Sequence, residues 1–235
     1  MVWAELSDLV LPTACAGCRA DGVRLNSGFC RPCAVGLQSL RPAQVRPSPA
    51  PAGMPPCVAL GPYAGVLREA ILSYKERGRH ALARPLGELL AVAVARAVGP
   101  SRSVLLIPVP STARAARQRH GDHLGRLAGH AGARLRRSGW SVVLAQPLRA
   151  LPRPDSTTLD SAQRAAAALA AFGPRPVRLR RLPARAAGRS VVLLDDIVTT
   201  GGTLAAVNRR LAAAGVTVCG AAVLAATERR TYHRQ

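Results

Sequence analysis

Two adjacent carboxylates followed by a Thr/Gly loop are the part of the sequence best suited to bind an anionic substrate. Asp195 and Asp196 follow the apolar run 191–194, and the loop after them contains Thr199, Thr200, Gly201, Gly202 and Thr203. Such a loop can direct backbone N–H groups and hydroxyls at a phosphate, and the dipole of a following helix favours negative charge there. The alternative is an ordinary strand-to-helix turn capped by Asp and Thr. Because two acids beside an apolar run are costly unless something uses them, we favour a phosphate site.

Four cysteines occur in two Cys-x-x-Cys pairs. Cys15 and Cys18 form the first pair, and Cys30 and Cys33 form the second, with residues 19–29 between them. Four thiolates in this spacing can hold one Zn²⁺ tetrahedrally, and a zinc ion with four protein ligands is structural because no coordination position stays open. The alternatives are redox-active thiol pairs or free buried thiols.

A second loop follows another apolar run, Ser103–Val109. It contains Pro108, Val109, Pro110 and Ser111, with Arg114 a little further on. Ser111 could cap the next helix and bind a ligand oxygen, although prolines near a plain helix start would look the same. The Arg-rich stretch 114–123 is either a phosphate-gathering loop or an exposed basic helix end.

The elements that would position these residues alternate along the chain. Apolar strands are predicted near residues 58, 104, 142, 191 and 217, with helices over 65–74, 81–98, 124–137 and 204–214. This alternation predicts an α/β fold with a doubly wound, mostly parallel sheet. Ligands in such folds lie beyond the carboxyl ends of the strands, so the two loops should meet at one sheet edge.

The segment between the cysteines and the first strand is rich in proline and should be a linker. We therefore predict three parts: a helix with the cysteine module (1–40), a linker (41–56) and the main domain (57–235). The helix of the first part is expected over Val2–Leu11.

Composition restricts the partners and the location of the protein. Its 235 residues are 49% hydrophobic and carry a net charge of +21, which indicates either a polyanionic partner or a solvated basic surface. No apolar run reaches about 18 residues, so no membrane insertion is expected. The N-terminus does not resemble a secretory signal, and we expect a cytoplasmic protein whose cysteines are thiols or metal ligands.

The stretch 189–204 resembles the 5-phosphoribosyl-1-pyrophosphate (PRPP) motif of type I phosphoribosyltransferases. The resemblance implies that Asp195 and Asp196, as the catalytic residues, contact the 2′ and 3′ hydroxyls of the ribose. It also implies that the loop 199–203 wraps the 5′-phosphate. The Pro108–Val109–Pro110 segment is similar to the pyrophosphate loop of amidophosphoribosyltransferases, which would place it across the site.

The order of motifs along nearly the whole chain resembles the ComF family, whose members are competence-associated and phosphoribosyltransferase-like. The shared features are the double Cys-x-x-Cys, Tyr63-x-Gly65-x-Leu67-Arg68 with Lys75 downstream, Pro108-Val-Pro110 and the PRPP motif. The resemblance implies a zinc finger on a type I phosphoribosyltransferase fold, and it adds Lys75, Ser111 and Arg114 to the PRPP-binding candidates. The chain departs from the family at His120-Gly-Asp-His123, where Arg-Gly-Phe-Asn is usual, so the acceptor side differs.

Three functions follow from these resemblances. The first is a phosphoribosyltransferase that uses PRPP with Mg²⁺ and serves nucleotide salvage or competence. The second is a module of the DNA-uptake machinery that handles single-stranded DNA. The third is a non-catalytic PRPP or nucleotide sensor. Pyrophosphate release distinguishes the first from the others, and salt-dependent binding of single strands distinguishes the second.

Overall fold

A six-stranded sheet forms the centre of the molecule, for which a computed structural model describes residues 14–111, 121–151 and 170–227. Its strands are β1 (Ala43–Val45), β2 (Cys57–Pro62), β3 (Ser103–Pro108), β4 (Ser141–Leu144), β7 (Ser190–Val198) and β8 (Gly220–Ala226). The spatial order is β1-β2-β8-β7-β3-β4, and every neighbouring pair is parallel except β1 with β2. A separate two-stranded sheet joins β5 (Leu148–Ala150) to β6 (Phe172–Pro174).

Helices follow the strands as the α/β pattern requires. They are α1 (Arg31–Gln38), α2 (Gly65–Lys75), α3 (Ala83–Val98), α4 (His123–Arg137), α5 (Pro176–Arg180), α6 (Leu182–Ala186) and α7 (Gly202–Ala212). In α3 the spacing of Leu86, Leu90 and Val94 places one apolar stripe in the core, where all three are fully buried. This helix packs against α4, β8 and β2.

The middle strands are apolar because both of their faces are covered. Leu193 and Leu194 of β7 and residues 221–225 of the Ala-rich strand β8 are inaccessible to solvent. The predicted α/β fold with a mostly parallel sheet is therefore confirmed. Within the described ranges, no helix combines the length and hydropathy needed to cross a membrane.

The cysteine module lies directly on the main core. Ser73 of α2 donates to the carbonyl of Ala16 at 3.3 Å, and Arg79 Nη1 donates to the carbonyl of Ala14 at 2.6 Å. A Cβ on Gly17 would come within 2.7 Å of Val66, so the knuckle approaches α2 as closely as glycine allows. The segment predicted to be a linker contains β1, which extends the sheet at one edge.

Some predicted boundaries differ from the observed ones. No strand was predicted between residues 144 and 190, yet β5 lies there and pairs with β6, a distant strand that local pattern does not reveal. The basic stretch 175–189 forms the two short helices α5 and α6. The predicted helix Val2–Leu11 lies outside the described residues.

Candidate functional site

The carboxyl ends of β3 and β7 bring the two predicted loops together. Pro108 of β3 pairs with Leu194 of β7, and the N–H of Val109 donates to the carbonyl of Leu194 at 2.9 Å. Asp195 and Asp196 follow Leu194 directly. Both loops therefore meet at one sheet edge, as expected for a parallel sheet.

A cavity of about 280 Å³ opens at this edge. Part of its wall consists of residues predicted from the sequence: Lys75, Val109, Pro110, Ser111, Asp195, Asp196 and Thr203. The rest comes from the start of α4 and from residues in or next to β5 and β6: His123, Leu124, Ala150, Leu151, Ala171 and Phe172. A cavity with charged groups on one wall and apolar groups on another suits a ligand that has a sugar-phosphate part and a flatter, less polar part.

Asp196 lies at the centre of a buried polar cluster. Its side chain is 8% exposed, and its Oδ2 lies 2.7 Å from Lys75 Nζ and 3.1 Å from His123 Nε2. The hydroxyl of Tyr74 donates to the carbonyl of His123 at 2.6 Å. These contacts tie α2 and α4 to the end of β7.

The two adjacent acids have opposite pKa shifts. Burial opposes the ionisation of Asp196, but the hydrogen bond from His123 and the charge of Lys75 outweigh it and lower the pKa of Asp196 to about 2. Burial and the neighbouring charge of Asp196 raise the pKa of Asp195 above its usual range. Because Lys75 and His123 both contact Asp196, Asp195 is the acid better placed to gain stabilisation from an added cation or donor.

The loop after β7 has the geometry of a helix-start anion site. Gly201 has φ +76° and forms the N-cap of α7, and a side chain there would collide with the sulfur of Met54, so glycine is required. The N–H of Gly202 donates to Thr200 Oγ1 at 3.4 Å, and Thr199 and Thr200 are exposed. The backbone amides in the first turn of α7 favour an anion.

The structure does not bring every predicted residue into the cavity. Among the loop residues 199–203, Thr203 lines it. Lys75, predicted to bind phosphate, lines the cavity and is paired with Asp196. Arg114 lies outside the described residues. A larger cavity of about 510 Å³, lined in part by Asp122 and Arg185, contains none of the predicted site residues.

The four predicted zinc ligands converge on one point. The Sγ atoms of Cys15, Cys18, Cys30 and Cys33 all lie within 4.8 Å of one another, and those of Cys18 and Cys30 are 3.7 Å apart. A tetrahedral zinc with Zn–S bonds of about 2.3 Å would separate its sulfurs by about 3.8 Å. The four-cysteine cluster therefore fits a structural zinc ion.

Backbone donors around Cys15 favour the thiolate that a metal requires. The N–H groups of Cys30 and Gly17 point at Cys15 Sγ from 3.3 and 3.4 Å. Burial raises the pKa of Cys15, but these backbone hydrogen bonds outweigh it and lower the pKa to about 6. The thiolate is the form that binds metal.

Residues 152–235 match the family model of the phosphoribosyl transferase domain. This match covers β7, the loop after it and α7, and with the mostly parallel sheet and the cysteine cluster it supports the predicted fold of type I phosphoribosyltransferase kind.

Known adenine phosphoribosyltransferases resemble one short part of the chain. A stretch of 38 residues is 58% identical to the adenine phosphoribosyltransferase of Mycolicibacterium vanbaalenii. This stretch makes up 16% of this chain and 22% of that protein. The same identity over the same length holds for the adenine phosphoribosyltransferases of Mycobacterium sp. strain KMS and Mycolicibacterium gilvum. The chain spans about a fifth of the length of these curated relatives.

Sequence reasoning missed His123 as a site residue. The residue fell at the end of a stretch interpreted as a basic loop or an exposed helix end, yet its side chain is 6% exposed. The sequence did carry a signal for Lys75, which contacts the same carboxylate as His123. Lys75 is the only lysine among the 33 lysine and arginine residues of the chain. Ala150 of β5 and Phe172 of β6 carried no comparable signal.

Proposed function

We propose that the protein is a phosphoribosyltransferase that binds PRPP at the cavity beyond β3 and β7. The observation that carries the proposal is the meeting of Asp195, the Pro108–Ser111 loop and Thr203 around one cavity, next to the N-terminus of α7. The match of residues 152–235 to the phosphoribosyl transferase domain supports the same assignment.

Each part of the site has a role in this proposal. The loop Thr199–Thr203 and the start of α7 bind the 5′-phosphate through backbone N–H groups and hydroxyls. Asp195 binds the ribose hydroxyls, and the Pro108–Ser111 loop faces the pyrophosphate. Mg²⁺, which prefers oxygen ligands, would be held by Asp195 together with PRPP and would offset the charge of the departing pyrophosphate. Positioning and charge stabilisation supply the catalysis.

The order of motifs along the chain supports a more specific role. We infer a ComF-like protein of the cytoplasm that acts in DNA uptake or nucleotide salvage, with a zinc-holding N-terminal module, residues 1–40, on a main domain, residues 57–235. The convergence of the four cysteines supports the zinc-holding part.

A second candidate function is the handling of single-stranded DNA, with PRPP as a sensed ligand rather than a substrate. The observation that favours it is the row of exposed arginines on α5 and α6, which includes Arg178, Arg180, Arg181 and Arg185. Phosphate contacts from such a row would bind a strand without reading its bases.

Calorimetry with PRPP and Mg²⁺ tests the first proposal. We expect the wild-type protein to bind PRPP. In Asp195→Asn the binding free energy should weaken by about 1.5–3 kcal/mol, because a charged hydrogen-bond acceptor is removed. Asp21→Asn removes the same charge from an exposed position in the cysteine module and should bind like wild type. Equal affinity in Asp195→Asn and Asp21→Asn would overturn the ribose assignment. Pyrophosphate release then separates an enzyme from a sensor.

A further inference from the structure

A second cavity opens at the same edge of the sheet as the candidate site, but other residues form it. It has a volume of about 510 Å³ and lies at the carboxyl end of β4, where Leu144, Ala145 and Gln146 line it. Within the described ranges, its lining and that of the cavity at Asp195 have no residue in common. Ligands of parallel α/β sheets bind beyond the carboxyl ends of the strands, and small-molecule sites commonly enclose about 300–1,000 Å³. The position and size of the second cavity therefore suit a ligand other than the one at Asp195.

The lining of the second cavity carries an excess of positive charge. Its only carboxylate among the described residues, Asp122, accepts hydrogen bonds on both oxygens, from the N–H of Gly125 at 2.9 Å and from Gln146 Nε2 at 2.6 Å. The sequence stretches 123–151 and 170–194 contain no Asp or Glu. Three arginines line the cavity, one from each of three helices: Arg126 of α4, Arg178 of α5 and Arg185 of α6. A concave surface with this charge attracts anions.

The arginines of α5 and α6 have donors that the protein does not use. Arg178 forms no hydrogen bond or ion pair with any residue of 14–111, 121–151 and 170–227. Arg185 donates from Nη2 to the carbonyl of Leu144 at 2.9 Å, which holds its guanidinium at the end of β4 and leaves Nε and Nη1 for a ligand. Both side chains are exposed, so a ligand reaches them from solvent. Guanidinium groups bind phosphate through two parallel N–H donors, and two of them at one cavity suit a ligand with more than one phosphate.

An apolar surface adjoins the second cavity. Arg178 also lines a neighbouring cavity of about 320 Å³, whose other lining residues are three apolar ones and two further arginines: Pro174, Pro176, Val177, Arg149 and Arg175. Val177 is 55% exposed, which is unusual for a valine that only supports a core. A flat ring packs on proline and valine, and it stacks on the planes of guanidinium groups. The two cavities thus place a surface for a ring beside a site for phosphates.

We propose that these two cavities form a binding site for a nucleoside triphosphate, separate from the PRPP cavity. The phosphates contact Arg178 and Arg185, and the base lies on Pro176 and Val177. Inorganic triphosphate shares the phosphate chemistry but lacks the ring, so it should bind more weakly. A concave site with arginines from separate helices favours a small ligand over a nucleic-acid strand, which needs a groove that follows several nucleotides.

Calorimetry with the full chain measures the Kd for ATP and for inorganic triphosphate. We expect both to bind, ATP more tightly. Arg178→Ala with Arg185→Ala should raise the Kd for ATP by about tenfold or more, because charge-assisted hydrogen bonds to phosphate are lost. Arg180→Ala with Arg181→Ala is the matched control: it removes the same charge from exposed positions of the same segment that line neither cavity, and the Kd should stay within about twofold of wild type. Val177→Ser should reduce the advantage of ATP over inorganic triphosphate.

Equal losses in the two double variants would mean that net charge alone attracts ATP, and this would overturn the inference. So would a thymidine oligonucleotide that binds at Arg178 and Arg185 while ATP does not bind. Asp195→Asn should leave the Kd for ATP within about twofold of wild type, and a larger loss would place ATP in the PRPP cavity instead. If the variant with Arg185→Ala does not fold, Arg178→Ala alone decides, with a severalfold rise in Kd expected and a wild-type Kd against the inference. Absence of PRPP binding would overturn the proposed function and leave this site standing.

Discussion

Lys75 and Asp196 form a buried ion pair that the molecule cannot lose without cost. Lys75 comes from α2 and Asp196 from β7, and their side chains are 16% and 8% exposed. Replacing both partners with uncharged groups is often tolerated, whereas removing one leaves a buried charge without compensation. The pair therefore affects both stability and the placement of His123.

Lys75→Met should lower the free energy of unfolding by about 3–5 kcal/mol, because Asp196 loses its cation in a buried setting. The double variant Lys75→Met, Asp196→Asn should recover a large part of this loss. Arg84→Met is the control, since the Arg84–Glu88 pair is long, at 3.6 Å, with Arg84 74% exposed, and such pairs contribute about 0–1 kcal/mol. Urea unfolding of the four proteins measures the effect. A Lys75→Met loss as small as that of Arg84→Met would contradict it.

The opposite pKa shifts of the two acids predict opposite pH effects. The raised pKa of Asp195 means that the folded state holds this proton more tightly, so its contribution to stability falls as pH rises above about 4. The lowered pKa of Asp196 contributes stability that is present above about pH 4 and is lost as pH falls toward 2. Relative to wild type, Asp195→Asn should become more stable as pH rises from 4 to 7, whereas Asp196→Asn should become less stable as pH rises from about 2 to 4. Parallel curves for both variants in urea unfolding at several pH values would refute this.

Helix α2 links the cysteine module to the site. On one side it carries Glu69, which accepts a hydrogen bond from Arg19 Nε at 2.8 Å, and Ser73, which contacts Ala16. At its end it carries Lys75. A change in the module therefore reaches the buried cluster through one short helix, although the composition of residues 41–56 predicted a flexible separation.

Cys30→Ser should release the zinc and reduce amide protection in the module, and in α2 as well, because Ser73 and Glu69 lose fixed partners. Zinc analysis together with hydrogen exchange of residues 65–75 measures this. Cys219→Ser, at an exposed position outside the cluster, should leave both unchanged. Loss of protection in the module alone would show that the two parts are independent after all.

The net charge of +21 concerns the whole molecule. A small anion such as PRPP needs few contacts, whereas a nucleic-acid strand along α5 and α6 would need many. Exposed arginines and few aromatic residues, 3% of the chain, favour phosphate contacts over base stacking.

Binding of single-stranded DNA should therefore depend steeply on salt, with log K changing by about −0.7 per phosphate for each unit of log salt, while PRPP shows a shallow slope. Arg178→Ala with Arg181→Ala should reduce the DNA slope by about 1.4 if each contacts one phosphate. Arg46→Ala with Arg96→Ala removes the same charge from other exposed positions and should change it less. No DNA binding at low salt would mean that the charge is solvated surface.

Features that depend on neighbouring residues were predictable. The apolar run before Asp195 predicts a buried strand, and the glycines after it allow the positive φ seen at Gly201. The paired cysteines predict four converging thiolates. Alternation of strands and helices then places the two loops at one sheet edge. For the same reason β1, β5 and β6 were missed, because short strands form where a distant partner offers hydrogen bonds.

The sequence by itself determined the α/β class, the cysteine cluster and the position of the Thr/Gly loop after β7, since each rests on spacing within one segment. Only the tertiary structure decided how the site is divided between its acids. Asp196 is held by Lys75 and His123, which come from two helices far apart in the chain. Adjacent aspartates look equivalent in a sequence, but side chains of neighbouring strand residues point to opposite faces, so each acid meets different partners. That difference makes one acid available to a ligand and the other a support for His123.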